Sequence, residues 1–485
     1  MNFINGIWKA SQGGSMFKDA NPADLNDFIG QFPDSIMEDA KEAIDAAKMA
    51  QEKWANVPAP QRGRYLLKAS NIMEENLEQL ARLLTREEGK PLKDSKGEVI
   101  RSIEILRFFA GLSYRLKGET VPSNYQNVFL FTIREPVGVA SIITPWNFPI
   151  AIPVWKIAPA LITGNTVVFK PSPSTPLIAQ KLVEILEKVG IPKGVINLVQ
   201  GGGDVGREMV VDKRVDVVSF TGSYATGSEI WKSRAETDKM IRYQLEMGGK
   251  NPLVVMADAN LEKAAKMAVI GGFGLTGQAC TSSSRIIVEE DVYSKFLDAF
   301  VNETSKFKVG NPLKHEDINM GPVINEEQLE KDLYYIRLGG EEGAKLLYGG
   351  RKLEDGEYKD GYYIQPTIYT DVTKDMRIAK EEIFGPVASV MKFKGIEEAI
   401  EIANSIDYGL CASVCTDNLN TAHEFINKVE AGLIKVNQPT IGLELHVPFG
   451  GYKKSSSSTF KEQCETALDI FTKIKTVYLS PRLPP

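Results

Sequence analysis

Between Val137 and Asp258 the chain repeats one form five times. VGVASIITP, TVVFKPS, VINLVQ, VDVVSFTG and NPLVVMAD are short, nearly continuous apolar runs rich in β-branched residues. Such runs suit strands buried on both faces of a parallel sheet. Helical patterns such as TPLIAQKLVEILEKVG separate several of them. Parallel neighbours need a crossover, usually a helix, so the alternation predicts a doubly wound α/β sheet. A second alternation follows. SRIIVEE, YYIQPTIYTD, VASVMKF, CASVCTD and LIKVNQ read as strands, and YSKFLDAFVNETSKF, EEAIEIANSI and TAHEFINKVEAG as helices. This predicts a second α/β unit over about 250–450. Upstream, residues 36–117 read mainly as helix: MEDAKEAIDAAKMAQEKWANV, then RGRYLLKASNIMEENLEQLARLLTREEG, then a third pattern at about 91–112. The tail KIKTVYLSPRLPP reads as a further strand with a Pro-rich end. A terminal strand suits addition to a neighbouring sheet, and hence oligomerisation.

A chain of 485 residues calls for more than one core. Its 57 Lys+Arg against 63 Asp+Glu leave a net charge of −6, which argues against a nucleic-acid partner or an anionic membrane surface. No apolar stretch approaches the ~20 residues of a membrane span. MNFINGIWKASQGG carries no secretory pattern. The four cysteines (Cys280, Cys411, Cys415, Cys464) include no CxxC pair, and the three histidines (His315, His423, His446) are scattered. Neither a disulfide framework nor a metal site is expected. The expectation is a cytoplasmic enzyme in a reducing compartment.

Several motifs carry chemistry, each with a plainer alternative. Gly201-x-Gly203-x-x-Gly206 follows a strand and opens a possible helix, GREMVVD; it is a dinucleotide fingerprint or an ordinary turn. Phe220-Thr-Gly-Ser223 is a second loop, where Gly222 can take positive φ and Ser223 either binds phosphate or caps a helix. Cys280 in GGFGLTGQACTSSSR is a nucleophile with a lowered pKa or a buried thiol. Cys411 and Cys415 fit the core, and Cys464 is placed on a polar C-terminal helix. Glu246 in QLEMGGKNP, just before a strand, is a desolvated general base or a solvated loop acid. Asn147, between Pro145 and Pro149 in TPWNFP, is an oxyanion donor or an Asx-turn residue.

Together TPWNFP, GNTVVFKPS, FTGS, LEMGGKNP, GQAC, EEIFGPV and PFGGYK resemble the aldehyde dehydrogenase superfamily, in the family's order and over essentially the whole chain. The resemblance implies two doubly wound α/β domains plus a small β oligomerisation element. The cofactor-binding domain would span 1–117 and 137–248, with 456–471 packing back on it. The catalytic domain would span 249–455, and the oligomerisation element 118–136 and 472–485. A homodimer or homotetramer is implied.

The resemblance also implies roles. Cys280 attacks the aldehyde to give a thiohemiacetal, in an oxyanion hole made by Asn147 and the Cys280 backbone N–H. Hydride passes to the nicotinamide and leaves a thioester. Glu246 activates the hydrolytic water, with Lys156 and Glu462 as its positioning or proton-relay partners. For the cofactor, NAD or NADP, Lys170 takes the adenosine ribose and Glu382 the nicotinamide ribose. Phe384 packs near the nicotinamide. Trp146, Gly222 and Ser223 lie by the pyrophosphate, and Ile143 belongs to the same site. The Gly201–Gly206 loop then borders the adenine side and is not the usual fingerprint.

One departure bears on the cofactor. Many NAD-preferring members place a Glu three residues after the lysine; here that residue is Pro173, and Ser172 or Ser174 is free to donate to a 2′-phosphate. NADP or dual use is expected. QLEMGGKNP and PFGGYKKSSSSTFKEQ are most similar to the 2,5-dioxopentanoate (α-ketoglutaric semialdehyde) dehydrogenase branch. Arg101 falls on the helix lining the family's substrate tunnel, where it clamps a remote carboxylate or else pairs at the surface with Glu98 or Glu104. Phe148, Trp155 and Phe449 are further tunnel residues or core. The alternatives are a succinate-semialdehyde or broad-specificity aldehyde dehydrogenase, a CoA-acylating relative, a non-catalytic protein on this fold, and a Cys–His hydrolase using His423 or His446.

Overall fold

The computed structural model describes residues 1–236 and 238–480. It contains two seven-stranded sheets. The first runs in the order Arg242–Glu246, Val217–Thr221, Val139–Ile143, Thr166–Lys170, Ile196–Leu198, Asn2–Ile4, Ile7–Lys9. Its first five strands are parallel, and the two N-terminal strands close one edge antiparallel. The second sheet runs Lys345–Tyr348, Thr367–Thr370, Val387–Phe393, Ser283–Glu289, Asn251–Val255, Cys411–Cys415, Leu433–Val436. It is parallel except at its first pair. A smaller sheet joins Thr472–Leu479, Phe129–Pro136 and Thr120–Val121. The tail strand pairs antiparallel with Phe129–Pro136 over its full length; the Pro-rich end, 481–485, lies outside the described residues.

The apolar runs form strands where expected, because buried parallel strands need apolar residues on both faces. Strands without such a run escape that reading. RYQLE is one: Tyr243, Gln244, Leu245 and Glu246 are nonetheless all buried. Asn2–Ile4 is another, too short to show a pattern and held by Phe3 against Leu198. The stretch after Arg62 is not one helix. It breaks at Asn76, resumes over Leu77–Glu88, and stops at Gly89, whose φ of 92° closes the helix end. Cys464 is not helical either; it sits at φ 42° in the turn before the short helix Ala467–Phe471.

Both faces of helix Ala151–Ile162 are buried, in keeping with a composition that is apolar except for Lys156. It packs beneath helices Ala59–Glu75 and Leu92–Leu112 in the largest core. The strand ends place the site. Ile143, Lys170, Thr221 and Glu246 are the last residues of four neighbouring parallel strands, with Ile143 in register with Lys170 and Thr221 with Glu246. A crevice at the carboxyl ends of parallel strands is where an open α/β sheet takes its ligand. The Cys280 turn enters it from before strand Ser283–Glu289 of the second sheet.

One buried cation ties the helical layer together. Arg62 donates through Nε to the Ile162 carbonyl (2.8 Å) and through Nη1 to the carbonyls of Ala55 (3.1 Å) and Val57. These lie at the carboxyl ends of helices Ala151–Ile162 and Met37–Ala55, where carbonyls lack intrahelical partners. Arg62→Met strands these acceptors and is expected to cost about 2 kcal/mol or more. A urea midpoint lowered at unchanged slope is the expected result; an unmoved midpoint contradicts the role.

Candidate active site

A cavity of about 270 Å³ lies between the two sheets, lined among others by Trp146, Asn147, Gly222, Cys280, Glu382 and Phe384. Asn147 owes its place to a buried network behind it. Lys90 Nζ donates to the Asn147 carbonyl (2.6 Å) and to Glu98 Oε2 (2.7 Å). Glu98 Oε1 accepts from the backbone N–H groups of Ile150 and Ala151 at the start of helix Ala151–Ile162. The Asn147 amide donates from Nδ2 to the Gln278 carbonyl (2.9 Å), two residues before Cys280. An Asx turn is ruled out because the residue two positions on is Pro149, which has no N–H; one amide hydrogen anchors the cysteine loop.

Cys280 sits in the turn between Gly274–Gly277 and strand Ser283–Glu289, with no helix following it. Its carbonyl accepts from Asn251 Nδ2 (2.9 Å), which fixes the turn to the second sheet. The residue keeps partial exposure to the cavity, yet its pKa is raised and not lowered. Burial is the first cause, and the nearby carboxylates of Glu382 and Glu246 add to it. The turn offers no helix N-terminus to oppose them, and helix dipoles and cations are what depress a thiol pKa. Cys411 and Cys415 are buried in a strand as core thiols.

Glu246 is neither a loop acid nor solvated. It ends strand Arg242–Glu246, is buried, and turns toward the C-terminal segment. Oε1 accepts from Ser456 Oγ (2.8 Å) and Oε2 from the Gly451 N–H (3.1 Å). Burial, then the Glu462 carboxylate, pushes its carboxyl well above the ordinary range. Glu462 is held by Lys156, whose Nζ also donates to Ser219 Oγ (2.9 Å). Phe449 and Glu462 exchange both backbone hydrogen bonds, at 2.8 and 2.7 Å. The structure thus brings Glu246, Glu462, Lys156 and Phe449 into one buried patch beside the cysteine.

At the other end of the crevice, buried Lys170 donates to the carbonyls of Gly201 (2.8 Å) and Pro171 (3.0 Å). Burial lowers its pKa to about 8. Ile143 lies beside it, both flanking Gly206. The Gly201–Gly206 loop thus borders Lys170. Glu382 accepts from the Gly249 N–H (2.8 Å), and a Cβ on Gly248 would lie 2.0 Å from its carboxylate, so a larger residue there would displace the Glu382 side chain. Phe384, at φ 64°, meets Trp146 edge-on at 5.5 Å. Gly222 is not at positive φ; it is required because a Cβ would meet the Phe220 ring at 2.5 Å. Ser223 Oγ accepts from the Thr226 N–H (3.2 Å), as a helix cap does, and Ser172 Oγ accepts from the Ser174 N–H (3.2 Å).

Arg101 pairs with neither Glu98 nor Glu104. Glu98 is taken by Lys90, and Glu104 meets Arg107. The half-buried guanidinium instead donates to the Leu443 carbonyl and to Gln463 Oε1, and lies 6.0 Å from the Trp155 ring. Trp155 packs on Phe449 at 5.8 Å, and Phe148 lies under Lys90 Nζ at 4.6 Å. Gln463 carried no sequence signal beyond its place beside Glu462.

Residues 8–477 match the model of the aldehyde dehydrogenase family. Among curated proteins, the alpha-ketoglutaric semialdehyde dehydrogenase of Bacillus subtilis is 47% identical over 482 residues, 99% of this chain and 98% of the relative. The 2,5-dioxopentanoate dehydrogenase of Saccharolobus solfataricus is 48% identical over 466 residues, 96% of each chain. Among solved structures, betaine aldehyde dehydrogenase of Staphylococcus aureus in complex with NAD+ superposes with a TM-score of 0.96 at 36% identity, covering 99% of this chain and 95% of that one. No helix among the described residues is long and apolar enough to cross a membrane.

The raised thiol has a direct readout. Alkylation of Cys280 by iodoacetamide in the free protein is expected to keep accelerating above pH ~9.5, where an ordinary thiol approaches its plateau. A plateau near or below that pH contradicts the electrostatics described.

Proposed function

The chain belongs to the aldehyde dehydrogenase family, and from that premise we propose that it oxidises a semialdehyde bearing a remote carboxylate, such as 2,5-dioxopentanoate, to the acid. Aldehyde oxidation with NAD(P) is the activity of the family. The observation that carries the proposal is that Cys280 and Asn147 line one cavity, with the Glu246 carboxylate near enough to act on the thiol. The names of the two curated relatives support the substrate.

The proposed roles follow from the contacts. The Cys280 thiol is held protonated at rest, so attack requires a base, and Glu246 is the nearby carboxylate with a raised affinity for protons. The sulfur bonds to the carbonyl carbon while the oxygen takes charge and accepts from Asn147 Nδ2. The chemistry supplied by the bound nicotinamide cofactor is acceptance of a hydride. Once the proton taken from Cys280 has passed on to solvent, the ionised Glu246 takes one from water, the hydroxide displaces the Cys280 sulfur from the thioester as thiolate, and the acid departs. Lys156 and Glu462 hold the far side of that carboxylate patch and offer a proton path.

The residues present fit such a cofactor. Lys170 keeps an ammonium hydrogen beyond its two carbonyl partners, and Glu382 keeps one carboxylate oxygen beyond Gly249, each suited to ribose hydroxyls. Trp146, Phe384, Gly222 and Ser223 surround the space between Cys280 and the first sheet. Pro173 in place of a carboxylate supports NADP or dual use. The exposed Phe129, Ile133, Ile474 and Tyr478 of the small sheet support its use in a homodimer or homotetramer. The domain division given above belongs to the same proposal.

Turnover of 2,5-dioxopentanoate should yield acid and reduced nucleotide one to one, without CoA. Cys280→Ala is expected to be inactive, and Glu246→Gln to be impaired already in the first turnover, without a rapid equivalent of reduced nucleotide, because it removes the base that frees the thiol. Acid formation that requires CoA, or activity without nucleotide, defeats the assignment. Because Glu246 must be ionised to take a proton, kcat should fall as pH drops through a value above the ordinary carboxylate range. Glu462→Gln removes a like charge and should move that limb to lower pH; an unmoved limb separates the pair. For the cofactor, kcat/KM with NADP should equal or exceed that with NAD; a strong preference for NAD overturns the reading of Pro173.

A further inference from the structure

We infer that Gln463 and Trp155 complete, around Arg101, a three-donor site for the remote carboxylate of the substrate. This rests on the reading that the substrate carries such a carboxylate. It adds Gln463, to which no function has been attached, and gives Trp155 a specific role as a donor.

Arg101 Nη2 donates to Gln463 Oε1 at 2.9 Å. A guanidinium offers only donors, so this bond settles which way the amide points: the oxygen faces Arg101 and Nε2 faces away from it. Gln463 is 1% exposed, and its Nε2 has no hydrogen-bond partner among the described residues. Trp155, 5% exposed, likewise leaves its indole Nε1–H unpartnered. Its ring is the one over which the Arg101 guanidinium lies at 6.0 Å. Two buried neutral donors without acceptors thus flank one half-buried cation. Each unmet donor is costly, since burial strips its water and returns nothing.

The surroundings set what can meet these donors. The carboxylates that reach Arg101 electrostatically are Glu98 and Glu444. Glu98 is consumed by Lys90 and by the Ile150 and Ala151 N–H groups, and Glu444 is exposed on the loop after Thr440. The missing group must therefore accept several hydrogen bonds and tolerate a full positive charge. A carboxylate does both, with two oxygens and about four lone-pair sites. Gln463 follows Glu462 and Trp155 precedes Lys156, so the donors adjoin the ion pair that backs Glu246. Gln463 is also held at φ 62°, a conformation that its backbone adopts only under constraint from its neighbours.

The test compares kcat/KM for 2,5-dioxopentanoate with that for pentanal, a five-carbon aldehyde without the carboxylate. Gln463→Leu and Trp155→Phe each remove one donor, and the second keeps an aromatic ring against Phe449. Each is expected to lower the ratio about tenfold, through KM and not kcat. Gln463→Glu keeps a partner for Arg101 but sets an anion where Nε2 stood, and should lower the ratio further. It also serves if Gln463→Leu does not fold, as judged by circular dichroism and the urea midpoint. If Arg101→Ala lowers the ratio and the Gln463 and Trp155 variants leave it unchanged, the three-donor site is overturned and the semialdehyde reading stands. If Arg101→Ala also leaves it unchanged, the semialdehyde reading fails and takes the site with it.

Discussion

The buried pair of Lys156 with Glu462 is the interaction on which the site depends. Removing two charges from water is expensive, and their attraction compensates only when further hydrogen bonds help. Here Ser219 supplies one to Lys156, Gln244 accepts from Ser219 (2.8 Å), and Glu462 is pinned by two backbone bonds to Phe449. The pair joins a helix covering the first sheet to a segment more than 300 residues later in the chain. That segment carries Gly451 and Ser456, which hold Glu246, as well as Phe449 and Gln463. Loss of the pair would release every group on that side of the cysteine at once.

A second buried cation acts on the opposite side. Lys90 binds the Asn147 carbonyl, while its partner Glu98 binds the two N–H groups that open helix Ala151–Ile162. The loop between Pro145 and Pro149 is thus fixed at both ends, and Asn147 can aim its amide without reorganising. A preorganised donor is worth most in a site that excludes water. The two ion pairs share helix Ala151–Ile162 as a common base, one at its start and one along it. The oxyanion donor and the carboxylate patch are therefore positioned by the same rigid element. The electrostatics of Cys280 complement this arrangement. Burial, with the Glu382 and Glu246 carboxylates adding to it, raises the pKa of the thiol, so proton removal is the step these surroundings oppose.

The parts of this arrangement that were legible in the sequence are those encoded locally. Buried parallel strands announce themselves as apolar runs, and Cys280, Asn147, Glu246 and Lys170 each sit within a short motif at a strand end or turn. What was not legible depends on distant partners. Nothing near Glu246 says that its oxygens are met by Gly451 and Ser456, about two hundred residues on. Nothing near Arg101 says that Glu98 is already taken and that Gln463 waits across the core. The direction of the Cys280 shift failed for the same reason: the local glycines suggested an open turn, whereas Glu382 and Glu246 arrive from other elements. Strand Arg242–Glu246 was hidden because its buried polar residues have partners that only the fold supplies. Gln244, for instance, meets Ser219 and the Lys461 carbonyl.

The serine run shows how a compositional oddity acquires a physical meaning. Residues 455–458 are the chain's one low-complexity stretch, and such a stretch on its own suggests a flexible link. In the structure the run lies alongside the end of strand Arg242–Glu246. The Ser455 carbonyl accepts from the Met247 N–H (2.8 Å), Ser457 Oγ from the Leu245 N–H (3.1 Å), and Ser456 Oγ donates to Glu246 (2.8 Å). Serines thus do what a neighbouring strand would do for the edge of this sheet, satisfying backbone donors that would otherwise be buried unpaired. Small side chains are needed because the run passes close to Gly450, Gly451 and the Glu246 carboxylate. Hydroxyls are needed because that carboxylate and those N–H groups must be met. The same segment therefore closes the sheet edge and sets the orientation of the group next to the cysteine.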